Sequence, residues 1–174
     1  MNKSDITRMP QYYDRYINLA MDRPLVKALE ATGAEFLLEE RAMLARLGDK
    51  VYAPGKWTAK DLLQHIIDTE RVFSYRAMRI ARNDKIPLPG FEENEYAVTA
   101  QATDRDLDDL LAEYAMLRNS VIFMFKSFTE EMLHREGVCS GKEISVLAIG
   151  FVIAGHTQHH VQKLQELYYP LIGG

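Results

Sequence analysis

The sequence predicts an all-α protein, a four-helix bundle with one long crossover, formed by a single domain of residues 1–174. Long stretches of the chain carry apolar side chains at a spacing close to 3.6 residues, the period of a helix that buries one face. Proline and glycine interrupt the chain at a few places only. We find no stretch with the strict apolar–polar alternation of a half-buried strand. A bundle of four amphipathic helices accounts for these three observations.

The first long helix is predicted from Pro24 to Gly48. Proline suits the first turn of a helix, and glycine suits the residue that follows its end. A short helical piece, residues 11–19, comes before it. The tyrosines of this piece are expected on the outside of the bundle, with their hydroxyls in water and no chemical role. They are Tyr12, Tyr13 and Tyr16.

The second helix is predicted to begin after Thr58, because Thr58 and Asp61 have the spacing of a capping box. It continues to about Ala81. Residues 83–103 contain Pro87, Pro89 and Gly90 and are predicted to be an irregular crossover. A connection of this length in a compact domain is often functional, so we expect it to shape a pocket together with the N-terminal segment.

The third helix is predicted from a cap at Thr103 or Asp104 to about Ser127, followed by a short helical turn at 129–133. Ser140-Gly141-Lys142-Glu143 has the spacing of another capping box. We therefore expect the fourth helix to run from Ser140 to about Tyr168, before Pro170.

The composition of the chain narrows the range of possible functions. A net charge of −4, without a dense cluster of Lys and Arg, argues against nucleic acid as a partner. The apolar run Ile144–Gln162 contains three histidines and is a poor membrane span. The single cysteine, Cys139, fits a reducing compartment and is expected to pack rather than react. We expect a cytoplasmic protein that acts on a small molecule.

Three of the five histidines lie within Gly155–His160, inside the predicted fourth helix. His156 and His160 are four residues apart, so both imidazoles project from one helix face. Two imidazoles provide half of a tetrahedral metal site, and a facing helix must provide a third ligand. His65 lies beside the apolar stripe of the second helix, whereas His134 lies among charged residues in a predicted exposed turn. We therefore predict His65, His156 and His160 as the metal ligands.

The same residues resemble the DinB-like (damage-inducible) superfamily. The resemblance is carried by Trp57, by the block His65-x-x-Asp68-x-Glu70-Arg71, and by the terminal His-x-x-His-His, and it extends along nearly the whole chain. The three metal-binding histidines of the family fall on the three predicted ligands. Membership implies an up-down-down-up bundle, a divalent metal and frequent homodimers. Zinc is the first expectation and nickel the second, since imidazole suits both.

Four neighbours of the predicted ligands have open roles. His159 could bind the metal, form a hydrogen bond to one of the metal-binding histidines, or line the pocket. We favour the last two roles. Asp68 and Glu70 could orient an imidazole. The preferred interpretation is instead a set of inter-helix ion pairs among Glu70, Arg71, Arg76 and Arg118. Trp57 is expected to be a packing anchor that could also line the pocket.

Three histidines without a fourth protein ligand predict an open metal position, as in catalytic sites. Characterised members of the resembled family include thiol-dependent S-transferases and a mycothiol-dependent maleylpyruvate isomerase. The first hypothesis is therefore a transferase in which the metal activates a low-molecular-weight thiol. The alternatives are a metal-dependent amide or ester hydrolase and a non-catalytic metal-binding stress protein. The hydrolase lacks a carboxylate placed as a general base.

Overall fold

The computed structural model describes residues 1–173 and is mostly helical. Its helices are α1 (Asp14–Leu19), α2 (Leu25–Ala31), α3 (Ala34–Leu38), α4 (Arg41–Leu47), α5 (Ala59–Ala81), α6 (Glu93–Ala100), α7 (Leu107–Lys126), α8 (Glu130–His134) and α9 (Val146–Lys163). A π-helical turn, Leu164–Tyr168, extends α9, and strands β1 (Glu136–Cys139) and β2 (Lys142–Ser145) form a hairpin. The predicted four-helix bundle is confirmed. It consists of α5, α7, α9 and the interrupted segment α2–α4. None of the helices within residues 1–173 is long and apolar enough to cross a membrane.

The first predicted helix is interrupted twice, so its prediction as one continuous helix was wrong. The first interruption is at Thr32 and Gly33, between α2 and α3. It frees the carbonyl of Thr32 from helical bonding. That carbonyl accepts hydrogen bonds from the Tyr114 hydroxyl and from Nη1 of Arg118, both at 2.5 Å. Side chains from α7 thus use the backbone acceptor that the interruption leaves free.

The capping box at the start of α5 is confirmed. The Thr58 hydroxyl accepts from the amide of Asp61 at 3.2 Å, and the Asp61 carboxylate accepts from the amide of Thr58 at 2.9 Å. The predicted cap of α7 was two or three residues early, because Asp106 accepts from the amide of Asp108 at 2.7 Å. The crossover was predicted to be irregular, but it contains α6.

The predicted capping box at Ser140 was wrong, because these residues form a hairpin. Ser140 and Gly141 connect β1 to β2, and both have positive φ, 51° and 74°. This is the backbone of a two-residue type I′ turn, whose twist matches that of the flanking strands. Helix α9 begins five residues later, where the Ser145 hydroxyl accepts from the amide of Ala148 at 3.1 Å. Cys139, predicted to pack rather than react, is fully buried in β1.

The bundle core consists of two apolar clusters separated by a polar layer. One cluster contains the second half of α5 and the first half of α9, and the other contains the opposite halves. Between them lies a buried bidentate ion pair, in which Arg118 donates to Glu70 at 2.7 and 2.8 Å. Arg118 also donates to the Thr157 hydroxyl at 3.0 Å. Three long helices therefore contribute polar side chains to one level of the bundle.

Candidate metal centre

Three histidines converge next to this polar layer. Nε2 of His156 lies 3.1 Å from Nε2 of His65 and 3.0 Å from Nε2 of His160. One nitrogen from each of the three residues falls within 4.8 Å of the others. All three side chains are buried, with exposures of 5–8%. The structure thus brings together the three residues that the sequence predicts as ligands, although metal binding by them remains a prediction.

The packing of α5 against α9 explains this convergence. His65 and His156 are 91 residues apart in the chain, and only the docking of the two helices brings them into contact. His156 and His160 share one face of α9 because four residues are close to one helical turn. The backbone hydrogen bonds of both helices hold the Cα positions, so the site is built on rigid elements.

Burial keeps these imidazoles neutral. It lowers the pKa of His65 to about 4, with a smaller contribution from the charge of His159. Burial, and secondarily the neighbouring histidines, holds the pKa values of His156 and His160 well below their usual range. A divalent cation binds the neutral form of imidazole, so the three side chains have the protonation state that a metal requires.

The spacing of the nitrogens also fits a metal. Nitrogen ligands about 2.0–2.1 Å from a tetrahedral ion lie roughly 3.3 Å from one another. Two of the three nitrogen pairs are already close to this separation. One feature departs from common metal sites: Nδ1 of His160 is buried and has no hydrogen-bond partner among residues 1–173. The orientation of His160 depends instead on ring packing, including His159 at a centroid distance of 5.1 Å.

Aromatic rings surround the three histidines. The Trp57 ring lies 4.8 Å from the His65 ring, and the Tyr16 ring lies 5.1 Å from that of His156. His159 is half-buried and packs against Tyr16 at 5.4 Å. Its nitrogens do not belong to the three-residue cluster within residues 1–173. Trp57 and His159 thus pack against the imidazole rings, but neither lines the pocket that opens beside the centre.

Asp68 and Glu70 form no hydrogen bond to a histidine in the described part of the chain. Asp68 accepts from Gln64 at 2.9 Å, and Glu70 pairs with Arg118. The preferred interpretation, inter-helix ion pairing, is therefore correct for Glu70. It was wrong for Arg76, which has no carboxylate within 4.0 Å among residues 1–173 and hydrogen-bonds to neutral oxygens.

A pocket of about 520 Å³ opens beside the centre, and His65 and His156 form part of its wall. Residues 90–94 of the crossover and the hairpin at Ser140 and Lys142 contribute other parts. The expectation that the crossover and the N-terminal segment shape the pocket is confirmed. Tyr16 lines the pocket as well, and burial raises the pKa of its hydroxyl to about 12. That hydroxyl is therefore protonated at neutral pH.

Some pocket residues were missed or misplaced from the sequence. The N-terminal tyrosines were expected outside the bundle, but all three line the pocket, and Tyr13 is buried against Phe73. Thr69, Phe73 and Arg76 follow His65 on the inner face of α5. Their spacing of four, four and three residues was a usable signal, because such positions share one helix face.

Comparison with known proteins agrees with this architecture. The family model of the DinB superfamily matches residues 16–164. The chain belongs to the DinB superfamily. It is similar to two relatives named "Putative metal-dependent hydrolase". The one from Oceanobacillus iheyensis is 25% identical over 67% of each chain, and the one from Geobacillus thermodenitrificans is 27% identical over 73% of this chain and 75% of the relative.

A solved structure has the same fold. YfiT from Bacillus subtilis, described as "a probable metal-dependent hydrolase with an unusual four-helix bundle topology", matches with a TM-score of 0.71. The match covers 95% of this chain and 90% of YfiT, at 15% identity. This similarity extends along nearly the whole bundle and concerns the fold alone.

Proposed function

We propose that this DinB-superfamily protein is a divalent-metal-dependent enzyme that acts on a small molecule in the pocket beside His65 and His156. The observation that carries the proposal is the convergence of three buried, neutral imidazoles, two of which, His65 and His156, line an open pocket. His65, His156 and His160 are the proposed ligands, with zinc ahead of nickel as the ion. No fourth His, Cys, Asp or Glu joins the cluster within residues 1–173, so a coordination position is left for a water or substrate.

A divalent metal supplies Lewis acidity, which lowers the pKa of a water or thiol bound to the metal. The protein contributes positions and shielding. Trp57 and Tyr16 cover the imidazole rings and restrict the access of bulk water. The protonated Tyr16 hydroxyl can donate a hydrogen bond to a substrate oxygen, but it cannot act as a base at neutral pH.

Hydrolysis is the first reaction that we propose, because both named relatives are described as metal-dependent hydrolases. Transfer of a low-molecular-weight thiol is the second. It is favoured by the absence of a carboxylate from the three-histidine cluster in the described residues. A thiol that binds a metal loses its proton without a separate base, whereas water activation commonly uses one.

Metal content tests the first part of the proposal. We expect about one zinc or nickel ion per chain in the purified protein, by plasma mass spectrometry, and little in His65→Ala or His160→Ala. His134→Ala is the matched control, because His134 is exposed on α8 and lies outside the cluster. Equal metal content in all four proteins would contradict the assignment of the ligands.

Two assays then separate the reactions. Metal-dependent cleavage of p-nitrophenyl acetate or a simple amide supports the hydrolase. Metal-dependent conjugation of a thiol to monochlorobimane supports the transferase. If the loaded protein shows neither activity, a non-catalytic metal-binding protein is the better description.

A further inference from the structure

Arg76 is a buried cation in the wall of the pocket. Its exposure is 2%, and it lies in the second half of α5. Nη2 donates to the carbonyl of Pro89 at 2.6 Å and to the hydroxyl of Ser140 at 3.0 Å. Both acceptors are neutral. In the described residues Nε and Nη1 of Arg76 have no hydrogen-bond partner and are not sealed from solvent. Half of the guanidinium is therefore free to bind something in the pocket.

Arg118, the other deeply buried arginine of the described residues, differs from Arg76 because it has a counter-ion. Arg118 has a bidentate carboxylate partner in Glu70 and additional acceptors. A buried charge without a counter-ion is unfavourable, and natural proteins normally pair it. Arg76 has no such partner within residues 1–173, although it faces the pocket. An anionic ligand would supply the missing counter-ion.

Other charges around the pocket do not satisfy Arg76. Lys142 adds a second positive charge at the rim. Glu92 and Glu93 also line the pocket, but both are exposed to solvent and neither forms an ion pair with Arg76 in the described structure. Their charges are screened by water, whereas a ligand at Arg76 would meet a desolvated guanidinium.

We propose that the pocket binds an elongated carboxylic acid whose carboxylate pairs with Arg76 while its other end lies at the histidine cluster. Arg76 follows His65 by eleven residues, which is three helical turns and about 16 Å along the axis of α5. Both residues therefore share one helix face but lie at opposite ends of the pocket. This inference rests on the proposed function, since it assigns the substrate class of the same site.

The wall between the two ends fits such a ligand. Phe73 provides an apolar surface and packs against the guanidinium of Arg76, 5.0 Å from its ring centroid. Thr69 has a buried hydroxyl without a hydrogen-bond partner in the described residues, one turn after His65. That hydroxyl oxygen is sealed from solvent, so it belongs to the interior of the wall and is not a contact for the ligand. Nη2 of Arg76 is occupied by Pro89 and Ser140, so a carboxylate at the far end would accept a single charge-assisted hydrogen bond, from Nη1 or from Nε.

A matched pair of probes tests the proposal on the metal-loaded full chain. We would measure calorimetrically the affinities of 6-mercaptohexanoate and 6-mercapto-1-hexanol, and of their shorter and longer homologues. We expect the acid to bind about tenfold or more tightly than the alcohol in the wild-type protein, since a charged hydrogen bond contributes that much. The advantage should vanish for 3-mercaptopropionate, which is too short to reach both ends.

Variants assign the effect to Arg76. We expect Arg76→Gln to remove the preference for the acid and Arg76→Lys to retain part of it. Arg23→Gln, at an exposed position outside the pocket, should leave the preference unchanged. Equal affinity for acid and alcohol in the wild type at every chain length overturns the proposal. So does a preference that Arg76→Gln leaves intact. The wild-type length series decides the question even if both Arg76 variants fail to fold.

If the proposed function is wrong but Arg76 does bind an anion, the binding experiments give a different result. If the histidines bind no metal, the thiols lose their affinity for the site. Hexanoate and hexanol on the metal-free chain still report on Arg76, because the comparison does not involve the histidines. A preference for hexanoate there, lost in Arg76→Gln, supports the anion site alone, and no preference overturns it.

Discussion

Arg118 shows at the scale of single residues how this bundle tolerates polar groups in its core. Its side chain is fully buried, and its partners come from three elements: Glu70 of α5, Thr32 after α2, and Thr157 of α9. Burial would lower the pKa of the guanidinium, but the charge of Glu70 more than offsets this, so the pKa lies above its ordinary value. Arg118 remains a cation that cross-links the bundle.

Removing one member of this pair should strongly destabilise the protein. Arg118→Met leaves the Glu70 carboxylate buried without a counter-ion, which costs about 3–5 kcal/mol. We expect urea denaturation to show this loss of unfolding free energy. Glu70→Leu combined with Arg118→Met should recover part of it, because no buried charge remains. A loss under 1 kcal/mol in the single variant would contradict the structural role of the pair.

Residue-scale prediction from the sequence succeeded where a pattern identifies a helix face. His156 and His160 share a face by spacing alone, and His65 lies on the inner stripe of α5. The partner of each charged side chain was not predictable in the same way. Arg76 and Arg118 are both arginines on helices that face the core. Only the three-dimensional packing shows that Arg118 pairs with Glu70, whereas Arg76 lines the pocket.

At the scale of elements, α1 lies directly on α9 beside the histidines. A Cβ atom added at Gly155 would fall 1.8 Å from the carbonyl oxygen of Tyr16. The backbones of the two helices therefore meet at the residue that precedes His156. This close approach positions the Tyr16 ring against the imidazoles.

Gly155→Ala should displace α1 and disturb the centre. The obstructing atoms belong to backbone and cannot rotate away, so we expect a loss of about 1–3 kcal/mol in unfolding free energy. Weaker metal binding should accompany it. Gly150→Ala on the same helix is the matched control, since its nearest obstructing atoms are the ends of the Leu25 side chain. Thermal denaturation and metal titration compare the two, and equal effects would contradict this interpretation.

The hairpin before α9 shows why element boundaries were harder to predict. Ser140 to Glu143 satisfies the spacing of a capping box, and Ser140-Gly141 also suits a two-residue turn. Local propensity does not separate these alternatives. Burial does, because the hairpin places Cys139 and Ile144 in the core. The first break in the first predicted helix, between α2 and α3, has a similar tertiary cause, since the free Thr32 carbonyl is used by side chains of α7.

At the scale of the whole molecule, a metal should contribute to stability. An ion that binds only the folded state stabilises it by about 2.7 kcal/mol when present at a hundred times its dissociation constant. For a chain of this size we expect chelation to lower the melting temperature by roughly 5–10 °C. Calorimetry with and without a chelator measures this shift. His65→Ala should not show it and His134→Ala should; a full shift in His65→Ala would contradict the site.

The helical architecture was predictable because apolar periodicity and a small number of breakers fix the long helices α5, α7 and α9. The oligomeric state was not predictable in the same way, because the sequence does not show which exposed surface would contact a second copy of the chain. The homodimer implied by the superfamily therefore stays a prediction, and sedimentation equilibrium measures it.

The sequence separation of 91 residues from His65 to His156 also determines when the centre can form. Neither α5 nor α9 alone holds a complete ligand set, so the site appears only after the chain has closed a long loop and docked both helices. An ion that binds so late in folding stabilises the native state without stabilising the transition state. It should therefore slow unfolding and leave the refolding rate unchanged. The loaded protein would then be protected kinetically, with an unfolding rate set by the release of its ion.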